Sequence, residues 1–392
     1  MARWDGDWDE SGLRALAERL HEGLAGLSPT FGLVFATPGY FEHASDLLEL
    51  IRVHARVPVL AGCSSCGLVA AGEEHEEGEG VVVMLFALPG ATVRSFLVPP
   101  GDTDAAARAR AAGLDSAGVT GWLAFLEPFH TDAEAWIEGW QAAFPDAPIF
   151  GGLAAGRSDD PRAQIYRDGE VLEEGGVVLA FSGVRVLGAV AQGCTPVGDT
   201  WTITRVEGNI VHRIGNRPAF AVLEETFTEL AEELKQRSRG NFFAGLVVDE
   251  YRADHHRGNF LVRSLLGADP TSGALAVGAL PRAGQTLQFQ LRDATAADED
   301  LREALDRLRR EIGRSTIYGG CLCVCAGRGR ALFGQANHDA GLVQQILGPD
   351  ASIAGFFCNG EFGPVGAHSF VHGHTASLMV FVGPRRTAED EL

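Results

Sequence analysis

An internal repeat constrains this chain more than any other feature. Residues 32–38 read as a buried strand, 40–53 as an amphipathic helix, 58–62 as a short strand ending in a glycine turn, and 80–88 as a third apolar strand. The same order returns at 121–128, at a helix opened by Thr131-Asp-Ala-Glu134, at 148–152 and at 176–181. Pro38 and Pro58 are separated as Pro128 and Pro148 are, so the two copies keep one internal spacing. A third copy runs through 321–326, 337–347, 352–355 and 375–381, and a degenerate fourth is read from 245–248 to 274–278.

A strand–helix–strand unit implies a parallel pair joined by a right-handed crossover. The third strand of a unit is followed by an alternating stretch, 91–98 or 184–191, which reads as its hairpin partner. The expected fold class is therefore α/β with α+β character. It comprises two similar domains built from repeated β-α-β-β units, with mixed sheets covered by helices in a layered αββα arrangement. Near residue 198 the pattern changes to an alternating hairpin at 200–214 and a helical run at 218–235. The expected boundaries are a helical lead-in over 1–29, domains over 30–198 and 199–385, and a tail over 386–392. Further helices are expected at 11–24 and 294–312.

Charge and composition remove several functions. With 52 acidic against 32 basic residues the formal charge is -20, which repels phosphate backbones and anionic membranes. The basic residues include a single lysine, Lys235, placed among Glu224, Glu225, Glu232 and Glu233. A phosphate-binding P-loop, a kinase strand lysine and an activated Schiff-base amine are all excluded by that one count. The seven cysteines, without a basic–apolar leader or a run approaching the ~20 apolar residues of a span, lead to the expectation of a cytoplasmic protein with reduced thiols. No cofactor and no nucleic-acid or membrane partner is expected; a small-molecule ligand is.

Chemistry-bearing residues gather where open α/β sheets place ligands, at strand ends. The first turn, Gly62-Cys-Ser-Ser-Cys-Gly67, offers Cys63 and Ser64, with a Cys63–Cys66 redox pair as one reading. The second, Gly151-Gly-Leu-Ala-Ala-Gly156, offers backbone N–H groups around Gly152. The third is the richest: Cys358, Asn359, Glu361, His368, His372 and His374 fall within twenty residues. His372 and His374 with Glu361 have no established metal spacing, so no metal is assigned. Asn337, at the head of the third helix, joins the ligand candidates. Arg263 and Arg292 stand in apolar runs and would clamp a carboxylate or pair internally. Cys321, Cys323 and Cys325 alternate along one strand and face one side, as small core residues would. In an alternative, enzymatic reading Cys63, Cys325 or Cys358 is a nucleophile with His374 as its base.

These stretches resemble the FIST family, whose members carry a FIST N-terminal and a FIST C-terminal domain. The likeness rests on residues 60–67, 150–156 and 176–181, and then on 216–219, 260–267, 284–293, 325–329 and 355–364. Its most specific part is Gly355-Phe-Phe-Cys-Asn-Gly-Glu361. The resemblance implies a sensory protein of signal transduction whose ligand is an amino acid or related carboxylate. It would act through a signalling protein in trans or a change of oligomeric state. A scaffold for a protein partner remains a further alternative.

Overall fold

The computed structural model describes residues 1–101, 104–111, 113, 118–157, 162–238, 241–252 and 254–384. The expected tail, 386–392, lies outside them. The chain divides into two compact units, Met1–Val190 with Ala304–Leu392, and Ala191–Glu303. The expected boundary near 198 thus lies close to one division. The chain then returns to the first unit, because the third copy pairs its strands with the first two.

In the first copy, β1 (Phe31–Ala36) and β5 (Gly80–Phe86) are buried along their whole length. Between them lie α1 (Ala44–His54), β2 (Leu60–Ser64) and the hairpin β3 (Leu68–Ala70)–β4 (Glu73–His75). The helix begins later than its periodicity suggests, since Pro38–His43 forms a 3-10 turn ahead of it. The second copy comprises β6 (Val119–Leu126), α2 (Ala133–Ala143), β7 (Ile149–Leu153), the hairpin β8 (Ile165–Arg167)–β9 (Glu170–Leu172) and β10 (Gly176–Ser182). Asp132, not Thr131 as the capping-box pattern suggests, caps α2, accepting the Ala135 N–H at 3.0 Å, while the Thr131 hydroxyl donates to Gly175 O. The third comprises β11 (Ile317–Cys325), α3 (Gly329–Phe333), α4 (His338–Leu347), β12 (Ile353–Cys358), the hairpin β13 (Glu361–Val365)–β14 (His368–His372) and β15 (Ala376–Val382). In every copy the first strand runs parallel to the second and antiparallel to the last, as the crossover rule requires.

The hairpins do not stay at home. Each copy's β–α–β core is extended by the hairpin of another: β8–β9 joins β2, β13–β14 joins β7, and β3–β4 joins β12. The exchange is cyclic, and it explains why three copies are needed for one unit. A two-stranded hairpin has too little apolar face to be stable alone. The stretches read as partners of the preceding strand are exchanged too. Thr92–Val98 pairs with β10, and Arg185–Ala191 lies beside β15.

The core is where the copies meet. Phe86, Phe181 and Phe381, one from each closing strand, are all buried, and Phe381 lies 5.2 Å from Phe86 and 4.7 Å from Phe181 between ring centres. Phe35, Phe125 and Phe356 form a second trio with centroids 4.7–5.6 Å apart. Each such ring contributes about 1.5–3 kcal/mol by burial. Cys63, Cys321, Cys323 and Cys358 fill the same core as small residues.

The second unit is built differently. Its seven strands pair antiparallel, and Cys194–Glu207 bonds to both Thr286–Arg292 and Ile210–Ile214, closing the sheet on itself. The expected fourth copy falls on Phe242–Val247 and Ala274–Val277, but with antiparallel neighbours throughout it is no β-α-β unit. Among the described residues no helix is long and apolar enough to cross a membrane.

Candidate functional site at the third strand end

Three glycines align the copies. Gly62, Gly151 and Gly355 lie opposite Val34, Ala124 and Leu322 in their parallel pairs. A Cβ at each would stand 1.7, 1.9 and 1.9 Å from that partner's carbonyl oxygen, so only glycine fits. Gly62 therefore corresponds to Gly151 rather than Gly152, one residue off the constant spacing of the two copies. Counting on, the hairpins open at Leu68, Ile165 and Glu361, opposite Phe356, Cys63 and Gly152. At the end of the first strand, the N–H groups of Thr37, Glu127 and Cys325 donate to Gly80, Gly175 and Thr375 at 3.0, 2.8 and 3.0 Å. Those six residues correspond in turn, which pairs Glu79 with His374 by position.

In the first two copies the chain's own carboxylate caps the loop after the first strand. Glu79 accepts the Gly39 N–H at 2.8 Å and the Thr37 hydroxyl at 2.5 Å. Glu127, almost wholly buried, accepts the Phe129 and His130 N–H groups at 2.6 and 2.7 Å. The third copy has Cys325 in place of Glu127 and His374 in place of Glu79. Its matching loop N–H is that of Gly327, which lies 3.5 Å from Cys325 Sγ, while the carboxylate on this loop, Glu76, accepts the Arg330 N–H at 2.9 and 3.0 Å. Gly327 is exposed, and a Cβ on it would be 3.4 Å from His374 Nδ1 and 3.8 Å from the Cys325 sulfur. Backbone N–H, imidazole and thiol thus lie together at one exposed turn.

Beneath it lies a carboxyl group where the other copies carry leucine and isoleucine. Glu361 is fully buried; its Oε2 accepts the Thr375 N–H at 2.9 Å, and Oε1 is 3.2 Å from Cys358 Sγ. Burial pushes this carboxyl up to about 8, opposed in part by the Thr375 N–H, the two thiols and Arg328. The Cys358 sulfur is also 3.3 Å from Val324 O. One S–H cannot serve two acceptors, but a protonated Glu361 satisfies both contacts. Burial and then Glu361 push the Cys358 thiol well up.

Arg328 holds the frame of that turn. It is fully buried, bonds Asp339 through Nε at 2.5 Å and Nη2 at 2.9 Å, and donates from Nη1 to His374 O at 3.3 Å. Its guanidinium lies over Phe333, which stacks on His338 at 3.4 Å, and His338 Nδ1 is 2.9 Å from Asp339. Burial alone would raise Asp339, but Arg328 and His338 hold its carboxyl at about 2. His374 has φ +63°, a left-handed conformation uncommon outside glycine, and the Arg328 and Thr375 bonds fix the backbone on either side of that turn.

The structure brings together Gly152, Cys325, Cys358, Glu361 and His374. Gly152 pairs with Glu361, and a Cβ there would be 3.4 Å from Cys358 Sγ. Asn359 stands exposed beside them, donating to Ala154 O at 3.1 Å. Other candidates have structural partners. Ser64 Oγ donates to Ala155 O and accepts the Gln164 N–H, both at 2.9 Å. Asn337 Oδ1 accepts the Glu74 N–H at 2.8 Å. Cys63 is fully buried and burial pushes its thiol well up, opposite to what a nucleophile needs. Arg263 and Arg292 belong to the second unit, on Phe260–Asp269 opposite Ala244 and on Thr286–Arg292 opposite Cys194. His372 Nε2 bonds Gly363 O at 2.9 Å, and no group of three His, Cys, Asp or Glu among the described residues could hold a metal ion. Sequence reasoning missed Asp339 and the matched acids Glu79 and Glu127. Aligning the third copy against the first two would have found the latter.

Comparison with known proteins agrees with the resemblance. The FIST N domain model matches residues 30–217 and the FIST C domain model residues 219–364. An uncharacterized protein of Mycobacterium tuberculosis is 34% identical over 372 residues, covering 94% of this chain and 96% of its own length. One of Mycobacterium bovis is 32% identical over 367 residues, covering 93% and 94%. A cyanuric acid hydrolase from A. caulinodans aligns with 76% of this chain and all of its own at 12% identity, with a TM-score of 0.19 that is no guide to fold. With both domain models matched in order across most of its length, the chain belongs to the FIST family, which is associated with sensory roles in signal transduction.

Proposed function

We propose that the third strand end binds a small carboxylate ligand, an amino acid or a close relative, and that its occupancy is the sensed signal. One observation carries this reading: at the matched loop position the Gly39 and Phe129 N–H groups donate to carboxylates of the chain itself, whereas the exposed Gly327 N–H faces the Cys325 sulfur beside His374, and that loop's internal carboxylate, Glu76, sits three residues on at the Arg330 N–H. Backbone N–H groups in such a loop favour an anion. An ammonium on the same ligand would favour ionisation of Glu361, an arrangement suited to an amino acid. Seven cysteines, none in a disulfide among the described residues, support a reducing compartment, the cytoplasm. The signal would leave through a partner protein in trans or a change of oligomeric state.

Thermal unfolding against a panel of amino acids, simple carboxylates and amines tests this. A ligand at about 100 times its Kd adds roughly 2.7 kcal/mol to native stability. The shift is expected with carboxylates, largest for amino acids, and absent in His374→Glu, which copies the first copy's internal carboxylate into the third. A shift with amines alone, or one unchanged in His374→Glu, overturns the carboxylate seat.

A further inference from the structure

We propose that Cys325 and Cys358 are a peroxide-reactive thiol pair, Cys325 the thiol that attacks the peroxide and Cys358 its resolving partner, with Glu361 moving the proton. The geometry is independent of the ligand reading. The two cysteines are register partners on the parallel strands β11 and β12, so their side chains leave the sheet on the same face. Adjacent strands lie about 4.8 Å apart, within the Cα separation of roughly 4.4–6.8 Å that a disulfide needs. Both thiols reach one carboxyl group: Cys358 Sγ is 3.2 Å from Glu361 Oε1, and Cys325 hydrogen-bonds Glu361 as well.

Their surroundings assign the order of events. Cys325 ends its strand beneath exposed Ala326 and Gly327 and retains 9% of its surface; Cys358 retains none. The Gly327 N–H directed at the Cys325 sulfur favours the thiolate there. The other five cysteines lack this set. Cys63, Cys321 and Cys323 are core residues, and Cys194 is in the second unit. Cys66, half-buried with its thiol pushed up to about 11 by burial, is the rival partner, its sulfur 3.7 Å from Phe357 O.

The chemistry balances with a hydroperoxide as oxidant. The Cys325 thiolate attacks one peroxide oxygen, the O–O bond breaks, and the leaving hydroxide takes a proton to become water (an alcohol from an alkyl peroxide). The Cys358 sulfur then attacks the Cys325 sulfenic acid and the S–O bond breaks. Glu361 gives a proton to the departing hydroxide and recovers one from the Cys358 thiol. Two thiols have lost two electrons and two protons in total, and the peroxide has been reduced. A thiol reductant reverses the change.

The test uses the full chain, hydrogen peroxide and peptide mapping without reductant. The expected result is a loss of two hydrogens, with peptides containing Cys325 and Cys358 linked, reversed by dithiothreitol. Cys358→Ser, or Cys358→Ala if serine disturbs the core, should stop at a Cys325 sulfenic acid that dimedone traps. Glu361→Gln should form that sulfenic acid normally but close the disulfide at least about tenfold more slowly, with more dimedone adduct. Cys325→Ser should react at least about tenfold more slowly with low peroxide. A Cys63–Cys66 or Cys66–Cys358 link, oxidation unchanged in Cys325→Ser, or thiols that survive peroxide as slowly as core cysteines each overturn the proposal. A silent ligand panel would leave it standing.

Discussion

The first two copies and the third share one backbone but use their strand ends differently. In the first two, Glu79 and Glu127 satisfy the loop N–H groups, and the hairpin opens on Leu68 or Ile165. In the third, Glu76 takes the Arg330 N–H further along the loop, and the hairpin opens on the buried acid Glu361, beside two thiols in a copy that also holds the buried Arg328–Asp339 pair. A polar group introduced where the fold accepts an aliphatic one costs stability unless it is bonded. Departure from a repeat at such a cost marks the place where the repeat serves something besides folding.

The largest expected effect sharpens that contrast. Arg328→Met leaves Asp339 buried without its main partner, a change of the kind that costs about 3–5 kcal/mol. A fall in the denaturation midpoint of that size, with no comparable loss on replacing exposed Arg330, is the expected outcome. A loss below about 1 kcal/mol would show that the third copy does not depend on this ion pair.

Next come the three aligned glycines. Alanine at Gly62, Gly151 or Gly355 forces the same backbone clash, expected to cost about 3 kcal/mol at each position. Equal losses in urea unfolding would support the equivalence of the copies. A tolerated Gly151→Ala beside a damaging Gly152→Ala would break the alignment on which the comparison rests.

A third effect, spread over several pH units, is expected in the pH dependence. Glu361 keeps its proton to about pH 8 when folded, against an ordinary value of 4.5. Between those values the unfolded chain has lost a proton that the native protein holds. This contribution is therefore fully present below pH 4.5 and is lost as pH rises through about 8, with a slope of at most about 1.4 kcal/mol per pH unit. Glu361→Gln should remove that slope, so its stability relative to the parent improves from pH 5 to pH 8. An unchanged slope would mean that Glu361 is ionised in the folded protein and that the buried acid is wrongly assigned.

Much of this architecture was legible beforehand, and the reasons are local. Apolar runs of strand length and the glycine turns are read over a few residues, and they placed three copies and most of their elements; the helix start near residue 131 was legible too, although its cap is Asp132 rather than Thr131. The cysteines alternating at 321, 323 and 325 face one side as the two-residue period requires. The site was legible only in part. Glu361, His374, Cys325 and Cys358 stood out by residue type, but Ser64 and Asn337 proved bonded within the frame, and Arg263 and Arg292 belong to the closed sheet of the other unit. Asp339 carried no signal: an acid early in a helix reads as an ordinary surface residue until a buried arginine is placed against it.

By itself the sequence determined the repeated β–α–β unit, the three close-packed glycine turns and the exclusion of lysine-dependent chemistry. Periodicity and residue type act within one segment and need no partner. Only the tertiary structure decided that each hairpin completes another copy's sheet, and that one strand end of three carries the buried acid and the thiols. Main-chain hydrogen bonds are the same at every sheet edge, so no local pattern says which edge a hairpin will join. The protonation of Glu361 depends in turn on what that joining buries around it.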